Sequence, residues 1–143
     1  MKKMVPILIS TILVLSCSTI KTQKKTAPPA QTSIQKIERI MNNIPVYPNL
    51  HYDTQNSFVY ESISVNAAII VLKGKAKLND VVSFYKENMP KYGWQLLFMF
   101  VYDNKATMMF DSMESSCSIE IEQEAFNNIV VTIKTGTKTP VAK

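Results

Sequence analysis

Side chains that alternate between apolar and polar from residue 63 onward constrain the fold of this chain more than any other feature. The run ISVNAAIIVL, residues 63–72, places apolar side chains at every second position, and its second face also becomes apolar near the end. Four further strand-like runs follow, namely WQLLFMFVY, ATMMFDS, CSIEIEQE and IVVTIKT. Asp103-Asn104 and Asn127-Asn128 lie between neighbouring runs, and both residue types tolerate the positive φ of tight turns. Strands joined by tight turns predict an antiparallel sheet.

One segment, LNDVVSFYKENMPKYGW, follows a helical period instead. Asn79 or Asp80 can cap its first turn, and Gly93 suits the left-handed position at its end. Its apolar stripe consists of Val81, Val82, Tyr85 and Met89. We therefore expect an α+β fold, with one antiparallel sheet of about five or six strands and a single main helix packed on one face.

The first sixteen residues, MKKMVPILISTILVLS, have the layout of an export signal. Lys2 and Lys3 form a positive start, and an apolar run of about eleven residues follows them. A helix that spans a bilayer needs roughly 20 apolar residues, so this run is short for a permanent membrane span. We expect residues 1–16 to be a signal peptide.

Cys17 follows that signal directly, and two kinds of peptidase could cut before it. Val14 and Ser16 satisfy the ordinary small-residue cleavage rule, which would leave Cys17 as a free first residue. The sequence V-L-S-C also resembles the lipobox of bacterial lipoproteins. That resemblance implies a diacylglycerol on the Cys17 thiol, cleavage before the residue and an acylated amino group, with fatty acids such as palmitate as the anchor. Ser18 resembles the residue found there in lipoproteins of the outer membrane, so we expect a bacterial envelope protein held on the outer membrane and facing the periplasm.

The next segment has the composition of a linker. Residues 18–33, STIKTQKKTAPPAQTS, lack the apolar residues that would order them. Residues 34–41, IQKIERIM, have helical spacing but at most two turns, which are marginal without packing, so they either dock on the domain or stay loose. We assign residues 17–43 to the lipidated cysteine and a basic flexible tether, 44–136 to an α+β domain, and 137–143 to a disordered tail.

The net charge of +5 does not come from the expected domain. Residues 44–136 contain seven Lys against ten Asp and Glu, a net charge of −3, and the basic excess lies at the ends of the chain. Nucleic-acid binding depends on basic side chains that neutralise many phosphates. We therefore expect no nucleic-acid partner.

Residues 44–135 also resemble a small α+β domain of exported bacterial lipoproteins. The resemblance rests on IPVYPN, with its Tyr-Pro pair, and on DVVSFYKENMPKYGW, with the Gly-Trp pair that ends the helix. Gly is often found in that family where this chain has Asn49. Members are mostly of unknown function, so the resemblance implies a fold and a location and supplies no catalytic residue.

Residue types that carry chemistry are sparse. His51 is the only histidine, and a zinc site needs three or four ligands. Cys117 shares a strand face with Ile119 and Ile121, which predicts a buried inert thiol. The alternative is that Cys117 acts as a nucleophile or forms an intermolecular link. A disulfide between Cys117 and Cys17 also stays open if Cys17 is unmodified. The acids Glu120, Glu122 and Glu124 share one strand face, which does not wrap a calcium ion. We expect no enzyme activity, no metal and no cofactor.

The run LLFMFVY is apolar on both faces of its predicted strand. Strict alternation places Trp94, Leu96, Phe98 and Phe100 on one face and Leu97, Met99 and Val101 on the other, with Met109 on the neighbouring strand. One helix covers only one face of a sheet. The second face is therefore covered by the segment before residue 63, by curvature of the sheet, or by a partner. A protein or lipid partner would bind a surface formed by Leu97, Met99, Val101 and Met109, because large exposed apolar patches usually mark interfaces.

These observations predict a lipid-anchored cell-envelope protein that acts as a non-catalytic binding or assembly module, attached to the membrane through acyl chains on Cys17. Two alternatives stay open. One is a small envelope enzyme or redox protein that uses Cys117. The other is a carrier that holds a lipid or acyl chain between helix and sheet.

Overall fold

A seven-stranded antiparallel sheet organises residues 33–138, the part of the chain that the computed structural model describes. The strands are β1 Leu50–Tyr52, β2 Phe58–Glu61, β3 Asn66–Lys75, β4 Gln95–Tyr102, β5 Lys105–Asp111, β6 Ser115–Gln123 and β7 Asn128–Thr137. The helices are α1 Ser33–Ile40 and α2 Leu78–Asn88, with short 3₁₀ turns at Met41–Asn43, Met89–Tyr92 and Ala125–Asn127. The signal peptide, Cys17 and most of the tether lie outside the described residues, as do residues 139–143.

The strands follow the order β1-β3-β7-β6-β5-β4, and β2 also pairs with β3. Because β7 occupies one side of β3, the two short strands β1 and β2 lie one after the other along its other side. The α+β fold and the antiparallel sheet are as expected, but the sheet has seven strands in place of five or six and two α-helices in place of one. Strands of three and four residues are too short to produce a readable alternation.

Both helices contribute to one core on the same face of the sheet. The described residues that fill this core from the sheet include Ala68, Ile70, Leu72, Met108, Phe110, Ile119, Ile121, Val131 and Ile133. Val81 and Tyr85 of α2 and Ile37 of α1 pack against them, and all three are almost fully buried. The apolar stripe predicted for α2 is therefore the side that faces the sheet.

The segment α1 docks on the domain. Ile37, Met41 and Ile44 are buried in the common core. The indole Nε1 of Trp94 donates a hydrogen bond of 2.7 Å to the carbonyl oxygen of Asn43, which ties this segment to the start of β4. Residues 34–41 are therefore docked on the domain and not loose. The packed part of the chain starts before residue 44, the predicted start of the domain.

The ends of α2 differ in how well the sequence predicts them. Gly93 has φ of +84° directly after the last turn, as expected of the residue that stops a helix. At the other end, capping by Asn79 or Asp80 is wrong, since the helix begins at Leu78 and both residues lie inside its first turn. The free N–H of Leu78 donates instead to Oε1 of Gln123, 2.8 Å away at the end of β6. Because Gln123 lies 45 residues from Leu78 in the chain, the sequence around the start of α2 contains no pattern that predicts this hydrogen bond.

Tight turns join the later strands. Tyr102 lies opposite Lys105 and Asp103 has φ of +51°, which confirms the predicted hairpin at Asp103-Asn104. Between β6 and β7 the positive φ values fall on Phe126 and Asn127, one residue earlier than predicted. The strand β7 continues to Thr137, so the chain is still ordered where the predicted tail begins, and the N–H of Lys138 donates to the carbonyl oxygen of Glu114 at 2.7 Å.

Candidate interaction surface

The strand β4 forms one edge of the sheet. It pairs with β5 on one side, and no strand of residues 33–138 pairs with its other side. Its eight residues, QLLFMFVY, carry no charge and no proline. The backbone N–H and C=O groups of such an edge are a template for a further strand.

A β-bulge at Leu97 reverses the faces of this strand. Leu96 lies opposite Phe110, but the next pair is Phe98 with Met109, so Leu97 is an extra residue on β4. Directly opposed residues of antiparallel strands point to the same face. The bulge therefore turns the later side chains to the face opposite to the one that strict alternation predicts.

Met99 and Val101 lie opposite Met108 and Ala106, which are buried on the helix side of the sheet. The outer face of β4 carries Phe98, Phe100 and Tyr102, opposite Met109, Thr107 and Lys105. The predicted surface of Leu97, Met99, Val101 and Met109 is thus divided. Met99 and Val101 point to the helix side, whereas half-buried Met109 lies on the outer face and Leu97 in the bulge.

The side chains of β4 are nevertheless exposed on both faces. On the outer face, Phe98, Phe100 and Tyr102 are 44%, 68% and 75% exposed. On the helix side, Met99 and Val101 are 37% and 49% exposed, because α2 packs over β5 and β6. The edge strand is left open on both faces as well as along its free backbone.

Strict alternation puts Phe98 and Phe100 on the face opposite to the predicted surface and makes no assignment for Tyr102. The three largest side chains of the observed surface are therefore not predicted from the sequence. A bulge breaks the period on which the assignment depends, and the residues at the bulge have no special composition. Their orientation follows from the register between β4 and β5, which the sequence of β4 alone does not reveal.

The middle of the outer face is polar. Lys105 and Glu122 form an ion pair at 2.9 Å, and Lys134 and Glu120 form another at 2.6 Å. The side chains of both pairs are about half exposed. The apolar residues of the outer face are therefore concentrated toward its edges.

The opposite edge of the sheet is built differently. It consists of β1 and β2, which have only three and four residues and are separated by a turn. In that turn the Asp53 carboxylate accepts hydrogen bonds from the N–H and the Nδ2 of Asn56. Short interrupted strands are one way in which proteins protect a sheet edge. The long continuous edge is thus at β4 alone among the described strands.

Cys117 lies on the core face of β6 and is 1% exposed. It forms no disulfide with any described residue. Burial raises the pKa of its thiol from 9.0 to about 12, which opposes formation of the reactive thiolate. The structure thus agrees with the prediction of a buried inert thiol.

The hydroxyl of Tyr85 is buried near Cys117 and has no hydrogen-bond partner of good geometry in residues 33–138. Burial raises the pKa of Tyr85, and a charge on Cys117 would raise it further, while the backbone of Tyr47 acts in the opposite direction. Both groups therefore stay protonated inside the core.

His51 is exposed on β1, opposite Lys73, at a surface groove of about 550 Å³. The groove is also lined by Asp53 and Glu124. Nζ of Lys73 lies 2.7 Å from Oδ2 of Asp53, and this hydrogen bond, with those from Asn56, lowers the pKa of Asp53 from 3.8 to about 2. Within the described residues no three His, Cys, Asp or Glu side chains are grouped so that they could hold a metal ion.

None of the helices between residues 33 and 138 is both long and apolar enough to cross a membrane.

Comparison with protein-family models, with curated proteins and with solved structures finds no match to this chain. The exposed edge strand β4 is therefore the feature on which a functional interpretation has to rest.

Proposed function

We propose that this chain is a lipid-anchored protein of the bacterial cell envelope whose α+β domain is a non-catalytic binding or assembly module. The observation that carries the binding role is β4, an uncharged edge strand of eight residues that is open on both faces. The lipid anchor rests on the export signal and the lipobox-like sequence that ends at Cys17.

An edge strand binds by adding a strand to the sheet. Main-chain hydrogen bonds supply affinity, and side chains that alternate between the faces supply specificity. In β4 the aromatic side chains of the outer face and the aliphatic side chains of the helix side offer contacts above and below such a strand. An exposed apolar edge that bound nothing would favour aggregation, so a dedicated partner accounts for it better than chance does.

The alternatives find less support. A redox function would need an accessible thiolate at Cys117, but that thiol is buried and its pKa is raised. An acyl-chain carrier would need space between helix and sheet, where Tyr85, Met108 and Phe110 are fully buried and fill the core.

The anchor is tested by Cys17→Ala. We expect the variant to leave the membrane fraction or to keep its signal, and its intact mass to lack the acyl chains of the wild type. Cys117→Ala is the matched control, and it should stay lipidated and membrane-bound. A Cys17→Ala protein that remains in the membrane with a lipid-shifted mass contradicts the proposal.

The binding role is tested with a photoreactive phenylalanine analogue at position 100 of the membrane-attached protein. The same analogue at position 58, on the opposite edge, is the control, because Phe58 is similarly exposed at 62%. We expect a discrete adduct from position 100 and none from position 58. No adduct at position 100 would remove the support for a binding module at β4.

A further inference from the structure

We propose that the partner of β4 is a second copy of this chain, and that two β4 strands pair antiparallel about a two-fold axis at Phe100. This inference rests on the proposed binding role and names its partner. The pairing would join two sheets into one continuous sheet across the two copies.

The register follows from the bulge. Beyond Leu97 the regular part of β4 runs from Phe98 to Tyr102, and Phe100 is its centre. A two-fold axis there places Phe98 opposite Tyr102 of the second copy, Met99 opposite its Val101, and Phe100 opposite its own counterpart. Each pair then lies on one face, outer with outer and helix side with helix side, as antiparallel pairing requires. A register shifted by one residue would oppose side chains from different faces.

Charge does not oppose this contact between identical molecules. The folded residues 33–138 carry a net charge of only −1, so long-range repulsion between two copies is small. The strand β4 has no charged residue, and like charges directly opposite each other destabilise a strand pair. The edge of β4 is therefore a place where two copies can meet without that cost.

The exposed surface of β4 sets an upper limit on the area that a dimer can bury. Large aromatic side chains have roughly 150–250 Å² of surface each, so the exposed fractions of Phe98, Phe100 and Tyr102 correspond to about 300–450 Å² per copy. Leu97, Met99 and Val101 add aliphatic surface to it, since they are 57%, 37% and 49% exposed. Over two copies this upper limit approaches the roughly 1,000 Å² expected of a specific interface, and pairing buries the part of it that faces the second copy.

The assembly closes at two copies. A contact in which the same strand from both copies forms the interface uses up the long edge of each. The remaining edges are the short strands β1 and β2, which are poor templates for a third copy. A fibre would need two long free edges on each copy. Among the described strands, only β4 forms such an edge.

Disulfide trapping tests the register in the lipidated full-length chain. In Phe100→Cys the two new thiols lie opposite each other, with Cα atoms about 4.5–5.5 Å apart, which is within disulfide range. Added diamide takes up the two electrons and two protons released, and we expect a disulfide-linked dimer on a non-reducing gel. Val101→Cys is the control, because Val101 faces Met99 of the second copy and not its own counterpart. A dimer from Val101→Cys and none from Phe100→Cys overturns the register.

Charge exchange tests the partner in the same lipidated chain, with its mass measured by light scattering in non-ionic detergent. Phe98→Lys and Tyr102→Glu, each alone, should raise the dimer dissociation constant on the order of tenfold or more. The double variant places opposite charges across both symmetric pairs and should restore the dimer. Phe58→Lys, on the opposite edge, should leave it unchanged, and circular dichroism confirms that each variant folds.

The two proposals fail in different ways. A monomeric wild type at high protein concentration, or single variants that stay dimeric, overturns the second copy as partner. If the photoreactive analogue at position 100 then gives an adduct with the mass of another molecule, the binding role stands and the self-pairing falls. If it gives no adduct, both fall.

Discussion

At the scale of single residues, the surroundings of Cys117 decide its chemistry. In the Cys17→Ser chain Cys117 is the only thiol. Because it is buried and its pKa is raised to about 12, we expect a maleimide at pH 7 to label the folded protein on the order of 100-fold more slowly than the protein unfolded in guanidinium. Mass spectrometry of timed samples measures both rates. Labelling of the folded protein at the rate of the unfolded one would revive the redox alternative.

Asp53 predicts a pH dependence of stability. Its pKa is about 2 in the folded chain, held down by Lys73 and Asn56, against 3.8 for the free side chain. A carboxyl whose pKa is lowered on folding stabilises the fold above its unfolded pKa, and this stabilisation is lost as the pH falls from about 4 through 2. Asp53→Asn should therefore be less stable at neutral pH and lose less stability over that acid range, as measured by urea unfolding at each pH.

Glu87→Gln, an exposed substitution on α2, is the control for this measurement and should keep the wild-type pH dependence. Some acid sensitivity should remain in Asp53→Asn, because Lys138 also lowers the pKa of Asp111. An acid profile of Asp53→Asn identical to that of the wild type would contradict the assigned role of the Asp53–Lys73 pair.

At the scale of elements, the long periodic segments could be predicted from the sequence and the rest could not. β3, α2, β5, β6 and β7 each have enough residues to show their period. β1 and β2 are too short for this, and the docking of α1 depends on Trp94, which is distant in sequence. The faces of β4 were assigned by strict alternation, and one extra residue at Leu97 reverses them. Because of that reversal, the residues of the predicted interaction surface lie on different faces, and its aromatic residues are not predicted.

The close approach of β1 to β3 predicts the effect of a single methyl group. Leu50 pairs with Gly74, and a Cβ on Gly74 would clash with the backbone carbonyl of Asn49 and lie 2.7 Å from Cδ2 of Leu50. Because backbone cannot easily yield, we expect Gly74→Ala to lower the free energy of unfolding by roughly 1–3 kcal/mol. Urea unfolding followed by circular dichroism measures it.

Gly136→Ala is the matched control, since Gly136 also lies in a central strand of the sheet. A Cβ there would be 3.6 Å from the carbonyl oxygen of Asn66 and 3.7 Å from Cβ of Ala67, which is ordinary contact. We expect a change within about 0.5 kcal/mol. Equal losses in the two variants would show that the β1–β3 contact is looser than described.

At the scale of the whole molecule, the core joins residues 33–43 to the sheet in one unit. Trp94, the only tryptophan, is 2% exposed and bonds to Asn43, so its fluorescence reports this junction. We expect unfolding in urea to give the same midpoint by tryptophan fluorescence and by circular dichroism, as a single cooperative transition requires. A fluorescence transition at lower urea would mean that α1 detaches before the sheet unfolds.

The pairing of β3 with β7 has a consequence for when the chain can fold. Ala67 lies opposite Gly136 and Lys75 opposite Asn128, and α2, β4, β5 and β6 all lie between the two strands in sequence. Contacts between such distant residues form late, because the entropy of closing the intervening loop opposes them. The middle of the sheet therefore cannot form until nearly the last strand has been synthesised. A nascent chain that lacks β7 cannot complete its sheet. In the export that we propose, this delay would keep the chain from reaching its final fold until nearly all of it has been synthesised.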